Sequence, residues 1–313
     1  MLSGTLQAMT VQLRLLFGLA LATYYAAAQQ MEDLRALRLK LSAGDLPSAE
    51  SILEIHRGAK GEDAEYLMGL AWLARGAALT ADWTAASTHA QRAFDLASGQ
   101  LHSKADYDSR REAVYALGTA LEVKAQVLVA AHQEKQALRS LEDALKAHAE
   151  APFSLRARLW KRWNEIALVG KAAPAIQPEE TLGAPFPGVE AWRGRPVVLF
   201  FWAEWCGDCK AQAAALQHVV DRYTPRGVHF AAPTRFYTPD HKAERQRVLE
   251  VWQKVYGAPS SVPVPFSDAG LLRYGASATP TFVLIDAKGV VRLYSPTRFT
   301  EERLAREIDK LLR

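Results

Sequence analysis

The placement of proline constrains this chain more than any other feature of its sequence. The chain has 15 prolines, of which none lies between Ser48 and Ala151 and 13 lie from Pro174 onward. A proline inside a helix costs about 3 kcal/mol. The sequence therefore predicts a first region that is free to be entirely helical and a second region of mixed structure.

The first region has the apolar spacing of helices. Apolar residues recur three and four positions apart, which matches the period of an α-helix. Examples are Tyr66, Leu67, Leu70, Trp72 and Leu73, and later Tyr115, Leu117, Leu121 and Val127. We predict an all-α domain over residues 29–170 and a linker at 171–180, where Pro174 and Pro178 lie among small and polar residues.

A turn followed by a helix start recurs three times in this region, at residues 43–49, 81–86 and 132–137. These segments resemble the second helices of tetratricopeptide repeats, in which a small residue opens a helix that packs on its predecessor. The resemblance implies a surface on which proteins dock. An unrelated helical bundle is the alternative.

Residues 1–28 have the pattern of a secretory signal. They contain one charged side chain, Arg14, followed by an apolar stretch at 15–28 that ends in three alanines. This stretch is shorter than the roughly 20 residues that span a bilayer, and its end matches the pattern read by signal peptidase. We predict cleavage before Gln29 and a periplasmic or secreted chain, with an uncleaved membrane anchor as the alternative.

Charge and histidine spacing argue against two further kinds of site. The net charge of +4 is small for 313 residues and no run of five or more like charges occurs, so no nucleic-acid partner is expected. The histidines of the helical region lack metal-ligand spacing, and we expect neither a metal site nor another cofactor. They are His56, His89, His102, His132 and His148.

The two cysteines of the chain, Cys206 and Cys209, lie where a predicted strand turns into a helix. Residues 196–203 form an apolar run rich in β-branched and aromatic side chains, and residues 206–223 have helical periodicity. The N-terminus of a helix stabilises a thiolate. We predict Cys206 at the helix cap and Cys209 in the first turn, facing inward, as a pair that cycles between dithiol and disulfide.

Other uses of a cysteine pair fit this sequence less well. A zinc site needs four ligands, and the motif offers no second cysteine pair and no histidine. Covalent haem attachment requires histidine after the second cysteine, where this chain has Lys210. A purely structural disulfide across three positions closes too short a loop to stabilise a fold much. Redox chemistry is therefore the favoured interpretation.

Two motifs resemble those of thioredoxin. Residues 201–210, FWAEWCGDCK, resemble its active-site signature, although thioredoxin has proline where this chain has Asp208. Residues 278–286, ATPTFVLID, resemble its cis-proline loop and the strand that follows. The resemblance implies that Cys206 is the nucleophile, that Cys209 resolves the mixed disulfide, and that Pro280 packs against the pair.

Two contacts with substrate are expected, and the same resemblance implies the first of them. The backbone of Thr279 would pair with an extended segment of the substrate. Trp205 would contact partners from the surface, with a role as a packing lid over the motif as the alternative.

The order of the predicted elements agrees with this fold. Strands are predicted at 196–203, 228–236, 262–266, 281–286 and 290–295, and helices at 206–223, 243–256, 269–274 and 300–312. With a leading segment at 183–192 and an enlarged middle, the order resembles the TlpA/ResA-like thiol-disulfide oxidoreductases. The implied fold class is an α/β thioredoxin-like domain over 181–313, with a mixed sheet flanked by helices, preceded by the all-α domain.

The resemblance fails at the position of the general base. Thioredoxin has a buried aspartate six residues before its first cysteine, where this chain has Phe200. We hypothesise that Asp208 handles the proton of Cys209 instead, and the alternative is an exposed aspartate that only complements the helix dipole. An anion beside the thiolates disfavours their ionisation, so we expect a couple toward the reducing end of the range for this fold.

The sequence thus favours an exported thiol-disulfide oxidoreductase that reduces protein disulfides. Its expected partners are protein thiol and disulfide substrates, a membrane thiol electron donor, and proteins docked on the helical region. One alternative is a redoxin-type thiol peroxidase, although Ala203 stands where those enzymes have threonine. The other is a helical-repeat adaptor with a passive thioredoxin module.

Overall fold

The computed structural model describes residues 34–259 and 261–313. The predicted signal at 1–28 lies outside these residues. The described residues divide into two compact units, of which the first ends at Val127 and the second begins at Leu128.

The described part of the first unit is built from helices and short turns. The helices are α1 (34–42), α2 (Leu46–Lys60), α3 (Ala64–Leu79), α4 (Trp83–Ser98), α5 (Lys104–Ser109) and α6 (Arg111–Ala130), the last of which crosses the unit boundary. Small side chains let α3 and α4 pack closely, because the alanines between them, such as Ala77 and Ala86, are fully buried. The predicted all-α character of this region is confirmed.

Among the described residues, α6 also has the length and hydropathy of a membrane-spanning helix. In its most apolar stretch of 18 residues, 61% is buried inside the protein. The core helix of a protein has the same length, hydropathy and burial.

The second unit contains a mixed sheet flanked by helices, as predicted. Its helices are α7 (Glu134–Ala147), α8 (Phe153–Ala167), α9 (Gly207–Ala211), α10 (Ala213–Tyr223), α11 (His241–Tyr256), α12 (Asp268–Arg273) and α13 (Glu301–Leu311). Its strands are β1 (Glu180–Leu182), β2 (Val197–Phe201), β3 (His229–Ala231), β4 (Val264–Phe266), β5 (Thr281–Ile285) and β6 (Val291–Ser295). Four strands form a sheet in the order β3-β2-β5-β6, in which only β2 and β3 are parallel, and β1 pairs with β4 separately.

Strand β2 is buried on both faces. Because side chains alternate along a strand, Val198 and Phe200 pack in the core beneath α10, α11 and α13, whereas Val197, Leu199 and Phe201 pack in the core on the α12 side. This double burial fixes the register of β2. It therefore fixes the point at which the chain leaves the sheet and enters the cysteine motif.

The strand predicted at 228–236 ends early, at Ala231. Pro233 has no N–H to continue a ladder. Its neighbours Ala232 and Thr234 donate instead to the carbonyls of Pro263 and Pro265. The chain leaves the sheet here and forms a loop, residues 232–240, before α11.

The three predicted turns share one backbone geometry. Each contains a residue with positive φ directly before the N-cap of α2, α4 or α7. These residues are Gly44, Ala81 and His132. In each turn the N–H of the N-cap residue donates to the carbonyl five residues back, which is the pattern of a Schellman motif. This geometry is common at the ends of helices, and tetratricopeptide pairing stays a prediction.

The compact second unit extends further toward the N-terminus than the linker predicted at 171–180. Helix α8 packs on α12 and β6, and the buried Asn164 amide donates to the Arg273 carbonyl at 3.0 Å. Gly170 N–H donates to the Val291 carbonyl, and Val291 N–H donates to the Lys171 carbonyl. The prolines indicate where the long helices end. The contacts of α8 and of residues 170 and 171 nevertheless show that the second unit already includes residues before and at the start of the predicted linker.

Candidate redox site

The end of β2 delivers the cysteine pair to a helix N-terminus. Cys206 is the N-cap of α9 and Cys209 lies in its first turn. The two residues form a disulfide with their Cα atoms 5.2 Å apart. Cys206 is 6% exposed and Cys209 is 0% exposed. The predicted placement at the helix start is confirmed, and Cys206 is the sulfur closer to solvent.

The surroundings of Cys206 suit a thiolate. Its Sγ accepts a hydrogen bond from the backbone N–H of Cys209 at 3.1 Å. The partial positive charge at the start of a helix adds to this stabilisation of an anion. Cys206 is therefore the better placed of the two sulfurs to act as a nucleophile.

The loop before β5 lies against the disulfide. The Thr279–Pro280 peptide is cis, and the backbone oxygen of Thr279 is 3.4 Å from Cys206 Sγ. Strand pairing sets this position, because Thr281 at the start of β5 is opposite Phe201 at the end of β2. The structure thus brings together Cys206, Cys209 and the Thr279–Pro280 loop.

The helix predicted over 206–223 is interrupted at Gln212. The Cys209 carbonyl accepts from the Tyr256 hydroxyl at 2.6 Å and from Gln212 N–H at 3.1 Å, so the chain makes a tighter turn there. The buried side-chain oxygen of Gln212 accepts from Phe299 N–H at 2.9 Å. The break has a tertiary cause that helical periodicity does not reveal.

Asp208 lies at the surface of the site. Its side chain is 67% exposed, and its Oδ1 is 3.6 Å from Nε of Arg298. Phe200 is buried in the core, with its ring 5.1 Å from that of Phe282. The carboxylate of Asp208 therefore faces an arginine and solvent, and its role in proton transfer stays a hypothesis.

We expect Asp208→Asn to change the rate of thiol exchange by less than about threefold, because an exposed charge beside an arginine is strongly screened. The measurement is the rate at which the reduced protein reacts with a disulfide reagent across the pH range. Arg298→Gln serves as the matched variant that removes the opposite charge. A loss of about tenfold or more in Asp208→Asn, with a displaced pH profile, would instead support proton acceptance by Asp208.

Trp205 projects its indole ring beside the pair. The side chain is 59% exposed, and its ring meets the Tyr237 ring edge-on with the centroids 5.3 Å apart. Its backbone is fixed, because Glu204 accepts from Trp205 N–H at 3.0 Å and from Arg247 at 3.3 Å. The indole is thus a preformed exposed surface next to Cys206.

Sequence reasoning missed Glu244, which organises the loop that contacts Trp205. Glu244 heads a stripe of buried residues spaced by four on α11, followed by Val248, Trp252 and Tyr256. A carboxylate at the head of an apolar stripe is the signal that could have identified it, since buried charges need partners. Arg298 was also missed, and no local pattern marks a contact across 90 positions.

One cluster among the described residues has the geometry of a metal site. Single ligand atoms of His56, Asp63 and Glu65 lie within 4.8 Å of one another. Asp63 also caps α3 by accepting from Tyr66 N–H at 2.8 Å, and Lys60 Nζ is 3.7 Å from Glu65. Helix capping accounts for the position of Asp63, and the expectation of no metal site stays a prediction.

The fold and the cysteine pair define a thioredoxin-like domain with a Cys-x-x-Cys site. Residues 168–310 match the model of the Redoxin family. The match begins before the segment 171–180, in agreement with the pairing of that segment with β6.

Two relatives of this chain have names that refer to thiol-disulfide exchange. Thiol:disulfide interchange protein DsbE of Escherichia coli (strain K12) is 28% identical over 131 residues, which cover 41% of this chain and 65% of the relative. Thiol-disulfide oxidoreductase ResA of Geobacillus thermodenitrificans (strain NG80-2) is 24% identical over 120 residues, which cover 38% of this chain and 65% of the relative. This chain thus spans slightly under two thirds of the length of these relatives.

A solved structure of a putative thiol:disulfide interchange protein DsbE from Chlorobium tepidum is also similar. It is 25% identical with a TM-score of 0.38, and the match covers 46% of this chain and 98% of that chain.

Proposed function

We propose that this chain is an exported thiol-disulfide oxidoreductase that reduces disulfides of protein substrates through Cys206 and Cys209. One observation carries the proposal. Cys206 caps α9, is bonded to the buried Cys209, and lies 3.4 Å from the Thr279 backbone oxygen. This arrangement offers one sulfur to a partner and holds the second sulfur where it can release that partner.

The proposed reaction is two successive thiol-disulfide exchanges. The thiolate of Cys206 attacks one sulfur of the target disulfide, a mixed disulfide forms, and the first target thiolate leaves and takes up a proton. Cys209 then loses its proton and attacks the sulfur of Cys206. The intramolecular disulfide forms, and the second target thiolate leaves. Two electrons have moved to the target, so a dithiol donor must reduce the pair again.

Other parts of the chain have supporting roles in this proposal. The exposed ring of Trp205 and the backbone of Thr279 contact the substrate near Cys206, and Pro280 shapes the surface that the substrate meets. The helical region offers a docking surface for partner proteins. Export is supported by the single charge and apolar stretch of residues 1–28, and it would require a membrane thiol as the electron donor.

The test is the redox equilibrium of the pair in the full chain. We expect a reversible couple near or below about −250 mV in glutathione buffers of graded poise, toward the reducing end of the range for this fold. A couple above about −180 mV would indicate an oxidant or an isomerase. The absence of a reversible couple would contradict the proposal and favour the adaptor alternative.

A further inference from the structure

A cavity of about 310 Å³ lies beside the redox site in the C-terminal unit. Its walls come from the loop 232–240, the start of α11, the start of α12 and Glu179. Tyr237 belongs to this wall and also meets the ring of Trp205 at 5.3 Å. Since Trp205 directly precedes Cys206, this ring contact joins a residue of the cavity wall to the sequence neighbour of the nucleophile.

The apolar wall of the cavity is preformed. The ring of Phe236 is stacked between the rings of His241 and Phe266, with centroid distances of 4.1 Å and 4.4 Å. The backbone N–H groups of Tyr237 and Thr238 both donate to the buried carboxylate of Glu244 at 2.8 Å. A ligand would therefore meet a surface that needs little ordering on binding.

The charges of the lining favour a cationic ligand. Arg235 is already engaged, because its Nε lies 3.0 Å from Asp268 Oδ1 and 3.1 Å from the Phe236 carbonyl, and its guanidinium covers the Phe153 ring at 3.8 Å. Only 16% of its side chain is exposed, against 52% for Asp268. Glu179 adds a second carboxylate, whose Oε1 accepts from Asp268 N–H at 3.4 Å. The lining has two carboxylates, Glu179 and Asp268, and one guanidinium, Arg235. It therefore has one negative charge in excess when His241 is counted as neutral.

Resting on the proposed function, we infer that this cavity is a substrate subsite for a lysine or arginine side chain of the protein whose disulfide is reduced. The aliphatic stem of that side chain packs against the parts of Phe236 and Tyr237 that line the cavity. Its cationic head pairs with Asp268 and Glu179 at the mouth of the cavity. The subsite selects partners that carry a basic residue near the target cysteine.

The test uses substrates that each consist of two short peptides joined to each other by one disulfide bond. Each peptide carries lysine, glutamine or glutamate at two, four or six residues from its cysteine, on either side. The reduced full chain is mixed with each peptide, and the second-order rate constant of reduction is measured. At the spacing that reaches the cavity, we expect lysine to be preferred over glutamine by about fivefold, the factor given by one solvent-accessible ion pair, and glutamate to react slowest.

Two variants locate the preference. The double variant Asp268→Asn, Glu179→Gln should lower the lysine preference to below about twofold, as expected when the ion pair is lost. Should that protein not fold, Glu179→Gln alone tests the same point, because Glu179 is exposed. Asp221→Asn removes an exposed carboxylate from α10 and should leave the preference unchanged.

The outcomes separate the subsite from the reductase activity. Equal rates for the lysine, glutamine and glutamate peptides at every spacing would overturn the subsite and leave the reductase in place. If Asp221→Asn lost the preference for lysine to the same extent, the subsite would also be overturned, because the preference would then come from the overall negative charge and not from this cavity. No reduction of any peptide would contradict the proposed function itself.

Discussion

Cys209→Ser should stop catalytic turnover and leave the target protein covalently attached to Cys206. The serine hydroxyl cannot attack the mixed disulfide, so the reaction halts after its first exchange. We expect turnover to fall by about a thousandfold or more, as is usual when one member of a catalytic unit is lost. Cys206→Ser should lose turnover to the same extent without forming an adduct, because Cys209 is fully buried.

The measurement combines turnover with a disulfide-bonded protein substrate and mass spectrometry under non-reducing conditions. The chain has two cysteines, so any substrate adduct of Cys209→Ser must be attached at Cys206. The double variant Cys206→Ser, Cys209→Ser is the control for non-specific adducts. An adduct formed by Cys206→Ser but not by Cys209→Ser would reverse the two roles. Full turnover in either single variant would contradict the dithiol cycle.

Local patterns predict the parts of this site that depend on neighbours in the sequence. The apolar run at 196–203 becomes β2, and the motif after it places Cys206 at a helix cap, because strand burial and helix capping each act over a few residues. The Thr279–Pro280 loop could be identified because it resembles a known motif. In both cases the sequence marks the backbone path directly.

The features that escaped prediction arise from contacts across long separations. The helix breaks at Gln212 because the Tyr256 hydroxyl, 47 positions away, binds the Cys209 carbonyl. Arg298 meets Asp208 across 90 positions. The prolines of segment 171–180 predict a linker, yet the Lys171 carbonyl accepts a hydrogen bond from Val291 N–H of β6. None of these partners is visible in a single stretch of sequence.

The loop 232–240 depends on one buried carboxylate. Glu244 Oε1 accepts from Tyr237 N–H at 2.8 Å, and its Oε2 accepts from the N–H and hydroxyl of Thr238 at 2.8 Å and 2.7 Å. Glu244 is fully buried. Because this loop includes Tyr237, the same carboxylate indirectly supports the ring against which Trp205 rests.

Glu244→Ala should therefore lower the free energy of unfolding of the C-terminal unit by about 3 kcal/mol. It leaves two backbone N–H groups and a hydroxyl without their acceptor, and each buried unsatisfied group costs about 1 to 3 kcal/mol, partly relieved where water enters. Glu244→Gln should cost less, about 1 to 2 kcal/mol, because it keeps one acceptor oxygen. Glu250→Ala, at an exposed position of the same helix, should stay within about 0.5 kcal/mol of the parent protein.

Urea unfolding measures these differences, and hydrogen exchange of Tyr237 and Thr238 locates them. Faster exchange at these two N–H groups in Glu244→Ala, but not in Glu250→Ala, is the expected result. Equal stability and equal exchange in the two alanine variants would contradict the organising role of Glu244. Since Tyr237 of this loop contacts Trp205, Glu244→Ala should also slow reduction of protein substrates. We expect the redox couple of Cys206 and Cys209 to keep its potential.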